Sequence, residues 1–208
     1  MDNMKLWNSV CVTDPKAVKA ITGKQYKGNS PKPYWIIQRA TETFGPCGIG
    51  WGIEVVSERF ERFADEALHI ALVRVWFINS ENRRGVIEQM GQTKAAYTSA
   101  AGKHIVDEDA PKKSVTDGMV KCLSMLGFAG DIFSGQWDDS GYVQWAGAET
   151  NRRENPVDYF QAIEKSTTVE LLKQHFAAAW KMADAADKDA LKAAYDKRTE
   201  QLTQKATS

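Results

Sequence analysis

From Trp51 onward the apolar positions follow the two-residue period of a strand. Trp51, Ile53 and Val55 alternate with Gly52 and Glu54, and residues 67–78 form an almost continuous apolar run, which predicts a strand central in its sheet. The polar, basic segment 79–85 predicts a hairpin turn, and a third strand is expected over residues 86–90. Residues 92–110 are small and polar and read as a weakly structured loop. The period then changes. Val115, Met119, Cys122, Leu123 and Leu126 fall on one face of a helix starting at Lys112, with Lys113, Asp117, Lys121 and Ser124 on the opposite face and Gly127 as its stop.

Helix signals also lie at both ends of the chain. Asp14-Pro15 predicts a short helix through Ile21, capped by Thr13 or Asp14, and after a basic loop Ser30-Pro31 predicts a second, running through Phe44 to a stop at Gly45. Asn155-Pro156 predicts a helix through Tyr159 and Ile163, and Thr167 or Thr168 caps one through Leu171, Leu172, Phe176 and Trp180. Residues 182–186 read as the hinge to a charged last helix over 188–204, on which Leu191 and Tyr195 are placed to pack. The pattern as a whole predicts an α+β fold with a core over residues 1–150 and a helical C-terminal region over 151–208.

Composition excludes more than it selects. The hydrophobic fraction of 43% and charged fraction of 26% are those of a folded globular chain. No apolar run reaches the ~20 residues of a membrane span, and the first residues have no signal-peptide pattern, so a cytoplasmic location is expected. Cys11, Cys47 and Cys122 are odd in number and lack metal-ligand spacing, which predicts reduced thiols. Net charge is zero but unevenly spread: +5 over residues 1–39, −4 over 40–70 and −5 over 126–170. Such alternation allows a basic groove on an acidic body.

Candidate chemistry is sparse. His69, His104 and His175 lie on different predicted elements, and His69, inside a strand, reads as a half-buried, satisfied imidazole. The glycines of residues 45–52 lack nucleotide-loop spacing, and Asp107-Glu108-Asp109 and Asp138-Asp139 lack the glycine and spacing of a calcium loop. Phe133, Trp137, Tyr142 and Trp145 sit among acidic residues and read as packing surface, core or subunit interface. No cofactor is expected and no catalytic set is apparent.

One segment is more specific. Lys112-Lys113-Ser114-Val115-Thr116-Asp117-Gly118-Met119-Val120-Lys121-Cys122-Leu123, continuing to Gly127-Phe128, resembles the signature helix of the Rad-fifty-two superfamily of single-strand annealing proteins. Residues 34–51, with Phe44-Gly45 before a glycine-rich turn and Trp51, are similar to that family's helix-into-strand passage, and residues 71–75 to its central strand. The likeness spans roughly residues 30–130 and in size is greatest to phage-encoded recombinases. The chain departs from the pattern in having Val120-Lys121 where two adjacent bases are common, and Ser124 in place of a third.

The resemblance implies a curved antiparallel β-β-β sheet packed on the signature helix; the residue pattern adds N-terminal helices and a C-terminal helical hairpin, which has no part in the likeness. The resemblance further implies homo-oligomeric rings or filaments and ATP-independent annealing of single-stranded DNA in recombination and repair, with no enzymatic step. The DNA-binding residues expected on this basis are Lys121, Lys112 and Lys113 from the helix, Arg74 from the sheet, Arg83 and Arg84 from the hairpin, and Lys103 and Lys32. The C-terminal hairpin is then expected to recruit a host single-strand-binding protein or a companion exonuclease. The alternative is a non-enzymatic interaction adaptor whose C-terminal hairpin recruits a partner and which has no grip on DNA.

Overall fold

A computed structural model describes residues 3–21, 28–99, 101–154, 158–183 and 185–206. The chain forms two compact units, Met1–Thr150 and Asn151–Ser208.

The first unit opens with α1 (Lys5–Val10). The Asp14-Pro15 signal is real, since the Asp14 carboxylate accepts from Lys16 N–H, but it starts a single 3-10 turn, Pro15–Ala17, and not a helix to Ile21. β-Branched Val18 then begins β1 (Val18–Ala20), which pairs antiparallel with β2 (Asn29–Pro31). The basic segment 22–27 between them lies outside the described residues. The pairing also corrects the Ser30-Pro31 cap: those residues are in β2, and α2 (Pro33–Phe44) starts after Lys32 with Pro33 in its first turn. Gly45, at φ 96°, ends α2 in a conformation that favours glycine.

The main sheet is a curled half-barrel of four antiparallel strands in chain order: β3 (Trp51–Phe63), β4 (Glu66–Ile78), β5 (Arg84–Thr98) and β6 (His104–Val106). β4 is central, as its apolar run predicts. β3 and β5 are longer than expected, and the predicted loop over residues 92–110 holds the second half of β5 and all of β6. Gln92, Lys94 and Ala96 are weak strand formers held by ladder pairing to β4, so pairing overrides local preference there.

Alternation along β4 divides its side chains between the two sheet faces. His69, Ala71, Val73 and Val75 are buried beneath α3 (Ala110–Ser124), while Leu72, Arg74 and Trp76 take the other face. The apolar stripe read from the sequence is only part of the packing. The residues touching the sheet are small ones four apart, including Ser114, Gly118 and Cys122. Ser114 Oγ donates to the His69 carbonyl at 3.0 Å and Cys122 Sγ lies 3.4 Å from the Val73 carbonyl. Met119, Val120 and Leu123 join Ile36, Ala40, Trp51 and Phe128 in the core with α2. Burial pushes the Cys122 thiol above its ordinary pKa, as suits an inert core cysteine.

One polar expectation changes in this core. His69 is fully buried: its ring packs edge-on to Phe60 and Nε2 lies 3.5 Å from a Glu58 oxygen, but Nδ1 has no hydrogen-bond partner among the described residues. The aromatic, acidic segment forms α4 (Gly130–Phe133), a 3-10 turn over Gln136–Asp138 and α5 (Ser140–Glu154), and is divided between core and surface. Buried Asp131 accepts hydrogen bonds from Thr13 N–H (2.7 Å), Thr13 Oγ1 (2.6 Å) and Tyr142 OH (3.1 Å), and Trp137 is buried; Phe133 and Trp145 remain exposed.

The second unit contains α6 (Tyr159–Glu164), α7 (Val169–Met182) and α8 (Ala185–Ala206), all three in mutual contact, so the expected hairpin has a third helix. Asn155-Pro156 and Asp184 of the expected hinge lie outside the described residues; Asp158 caps α6 and Thr168 caps α7. Ile163, Leu172, Ala179 and Leu191 are its core, with Phe176 stacked 4.4 Å from Tyr195. Among the described residues no helix is long and apolar enough to cross a membrane.

Candidate nucleic-acid interface

α3 carries the best-placed cations. Pro111 sits in its first turn, where a missing N–H costs nothing, and the small sheet-facing stripe turns Lys112, Lys113 and Thr116 outward. Lys112 Nζ pairs with Asp109 at 2.9 Å and Lys113 Nζ with Asp107 at 2.6 Å. The hydrogen bonds to these carboxylates raise both ammonium pKa values, and the Lys112 ammonium in turn lowers that of Asp109.

Beside this turn of α3 lies an open groove of about 520 Å³. One wall carries Lys112, Lys113, Asp109 and Asp117; the other is the β1–β2 hairpin with Lys19, and exposed Phe133 also lines it. A second depression of about 440 Å³ is lined by Lys16, Lys32, Tyr34 and Trp35. Tyr34 is 85% exposed, an uncommon state for a tyrosine and one that leaves a ring available for stacking. Lys32 Nζ donates to the Lys16 carbonyl at 2.7 Å.

Lys121 is on α3 but is not part of the outward lysine pair. With Asp117 it is half-buried over the border of β5, not on an opposite, solvated face. Asp117 Oδ2 accepts from Gln92 N–H at 3.1 Å and from Lys121 Nζ at 2.9 Å, and Lys121 Nζ also lies 3.4 Å from the Met90 carbonyl. These two side chains serve the unpaired side of a strand.

The arginines lie elsewhere. Arg74 is on the sheet face turned away from α3, in register with Glu54 on β3 and Glu88 on β5. Its guanidinium contacts both, at 3.0 and 2.6 Å, and these hydrogen bonds hold it still more firmly protonated. Arg84 lies over Trp76 at 5.5 Å and 3.5 Å from Glu54, and Arg83 pairs with Glu81 at 2.6 Å in the β4–β5 turn. Lys103 is in the β5–β6 turn, with no ion-pair partner among the described residues. Arg83 and Lys103 therefore flank opposite ends of the 15-residue β5.

The structure thus brings Lys112 and Lys113 together, sets Lys32 in the second depression on the segment that leads from β2 into α2, and leaves Arg74, Arg83, Arg84 and Lys103 away from the groove. Sequence reasoning missed Lys19, Lys16 and Tyr34. The available signal was the β-branched residue type of Val18, Ile21 and Thr22 around Lys19, which favours a strand although the spacing of Val18 and Ile21 is helical. Among the described residues no cluster of His, Cys, Asp and Glu is arranged to hold a metal ion. Comparison of the chain with protein-family models and with curated proteins gives no match to either.

Proposed function

We propose that this chain binds single-stranded DNA along the groove beside α3 and, as a homo-oligomeric ring or filament, anneals complementary strands in recombination and repair without nucleotide, metal or any catalytic step. The observation that carries the reading is the placement of Lys112 and Lys113 on one wall of an open groove with Lys19 on the other. The residue pattern over 112–128 supports it independently.

Annealing demands that phosphates be neutralised while base edges stay free, and lysines along a groove do this by releasing counterions. Lys112 and Lys113 are exposed and each holds a single carboxylate, a weak contact in water that a phosphate can replace. Arg74 has two carboxylates to lose, which ranks it and Arg84 behind the groove lysines as phosphate ligands. Lys121 contributes positive potential while holding the β5 border. Lys32, Lys16 and Tyr34 extend the basic, aromatic path around the β1–β2 hairpin.

The test is fluorescence polarisation of a labelled oligonucleotide across a roughly fourfold salt range, together with an annealing assay. Each phosphate contact contributes about 0.7 to the logarithmic salt slope for single strands, so Lys112→Ala/Lys113→Ala lowers the slope by about 1.4 and slows annealing. Unchanged affinity and slope refute the groove. For the second unit we propose recruitment of a host single-strand-binding protein or a companion exonuclease. Its separate core supports this, and deletion of residues 151–208 is expected to spare annealing on naked DNA while abolishing it on DNA coated with the binding protein. A cut at Ser166 is a poorer test, because that buried serine lies inside the three-helix core and Arg198 donates to its carbonyl at 2.9 Å.

A further inference from the structure

The two borders of the main sheet are treated differently. On the β5 side, β6 pairs with the last residues of β5 and α3 covers much of the rest: Asp117 takes the Gln92 N–H, Lys121 reaches the Met90 carbonyl, and Cys122 Sγ lies 3.5 Å from the Ile87 carbonyl. On the other side, β3 runs for 13 residues with β4 on one flank and no described strand on the other. Its second half is exposed, with Phe60 at 62% and Phe63 at 54%. A long border with no described strand beside it offers backbone N–H and C=O groups to which another strand can pair.

Its charges say which strand. Residues 58–62 read Glu-Arg-Phe-Glu-Arg, and reversal about Phe60 lays every acid on a base. We propose that two copies of this chain join through β3 as an antiparallel, two-fold pair centred on Phe60, so that their sheets become continuous. Arg59 then faces the partner's Glu61, Glu58 faces the partner's Arg62, the reciprocal pairs repeat these contacts, and the two Phe60 rings meet. The faces agree with this register. Glu58, Phe60 and Arg62 oppose Ala71, His69 and Ala67 of β4 on one sheet face, while Arg59 and Glu61 oppose Ile70 and Leu68 on the other, so each facing pair shares a face. The next two-fold registers set Arg59 against Arg59 or Glu61 against Glu61, which disfavours slippage. Arg59 already pairs with Glu61 of its own strand at 2.5 Å, so the contact adds partners to charges that are in place. Such an isologous contact closes at two copies, and a ring or filament needs a second surface.

The pairing requires no DNA, and its tests contain none, so its failure leaves the strand-binding proposal untouched. Sedimentation of the full chain is expected to show self-association. Arg59→Glu and Glu61→Arg each set like charges opposite one another twice per dimer and weaken association by about tenfold. Mixed together, the two variants complement each other and recover association as a heterodimer. Each strand keeps its own like-charged 59 and 61 in the mixture, so recovery reports the contact between chains. Independently, Phe60→Cys is expected to form a 60–60 disulfide on mild oxidation, because directly opposed strand residues sit about 4.5–5.5 Å apart at Cα, within disulfide reach. A monomeric wild type, undiminished association of Arg59→Glu, a mixture that stays apart, or absence of the 60–60 cross-link overturns the proposal.

Discussion

Gly118 lies where α3 comes closest to the sheet, and its replacement by alanine sets two effects of opposite sign against each other. A Cβ at this position would lie 2.6 Å from Val73 Cγ2, 2.9 Å from Val73 Cβ and 3.3 Å from the Gln89 carbonyl oxygen. Ordinary carbon contacts are about 3.5–4.0 Å, so helix and strand must separate by roughly 1 Å. Val73 is fully buried and stiff at χ1, which leaves no cheap relief. Overpacking of this kind costs about 1–3 kcal/mol, and the rigid partners favour the upper end. Against it, alanine gains about 1 kcal/mol over glycine in a helix interior. The expected net loss is about 2 kcal/mol, a fall in melting temperature of roughly 4–8 °C for a chain of this size. Thermal unfolding followed by circular dichroism measures it. In a Val73→Ala background the 2.6 Å Cγ2 contact is gone while the 2.9 Å Cβ contact remains, so the same substitution should cost less, with a coupling energy of about 0.5–3 kcal/mol. A melting temperature that rises or stays constant on Gly118→Ala would mean that helix propensity wins, and the close approach of α3 to β4 and β5 would be refuted.

Other consequences follow from single contacts. Asp131→Ala strands the buried Thr13 donors, removes an acceptor from half-buried Tyr142 and should destabilise by about 3 kcal/mol, with Asp131→Asn intermediate; equal melting temperatures for all three proteins would contradict the buried cluster. Ala64, in the β3–β4 turn at φ 50°, pays for a left-handed conformation, so Ala64→Gly should stabilise by roughly 0.5–1 kcal/mol in denaturant titration, and a loss would argue against that turn. The Asp109 carboxyl is held below its ordinary value by Lys112, so its small stabilising contribution is present above the unfolded-state pKa and fades as pH falls through the lower folded value. In an NMR titration the Asp109 midpoint should move upward in Lys112→Gln; an unmoved midpoint would break the pair.

The resemblance over residues 112–128 takes on a structural meaning in this fold. Within Val115-Thr116-Asp117-Gly118, Gly118 permits the helix to touch Val73, and the Asp117 carboxylate receives the Gln92 N–H. At Gly91, the facing strand position, a Cβ would stand 1.9 Å from the Ser114 carbonyl oxygen. Asp117 and Gly118 therefore join helix to sheet, while the basic residues ahead of them remain available at the surface. Lys121 divides its role, since its ammonium is tied to the same border as Asp117.

Elements whose cause is local were legible in the sequence. The apolar run of β4, the helical period of α3, the Thr168 cap of α7 and the stop at Gly45 depend on residues within a turn or two of each other, and chain order alone carries that information. Pairing decided what local preference left open or misdirected. Val18 to Ala20 became a strand because Asn29 to Pro31 offered a partner, and residues 92–98 became a strand because β4 and then β6 did. The candidate site divides in the same way. The residue types of Lys112 and Lys113 and their outward placement follow from helix spacing. The carboxylates beside each lysine, the position of Arg74 between Glu54 and Glu88, and the Lys19 wall of the groove follow from strand register and from contacts between residues distant in sequence. Backbone hydrogen bonds between strands select neighbours across long separations of chain, and the charge neighbourhood of each basic residue is set by that selection.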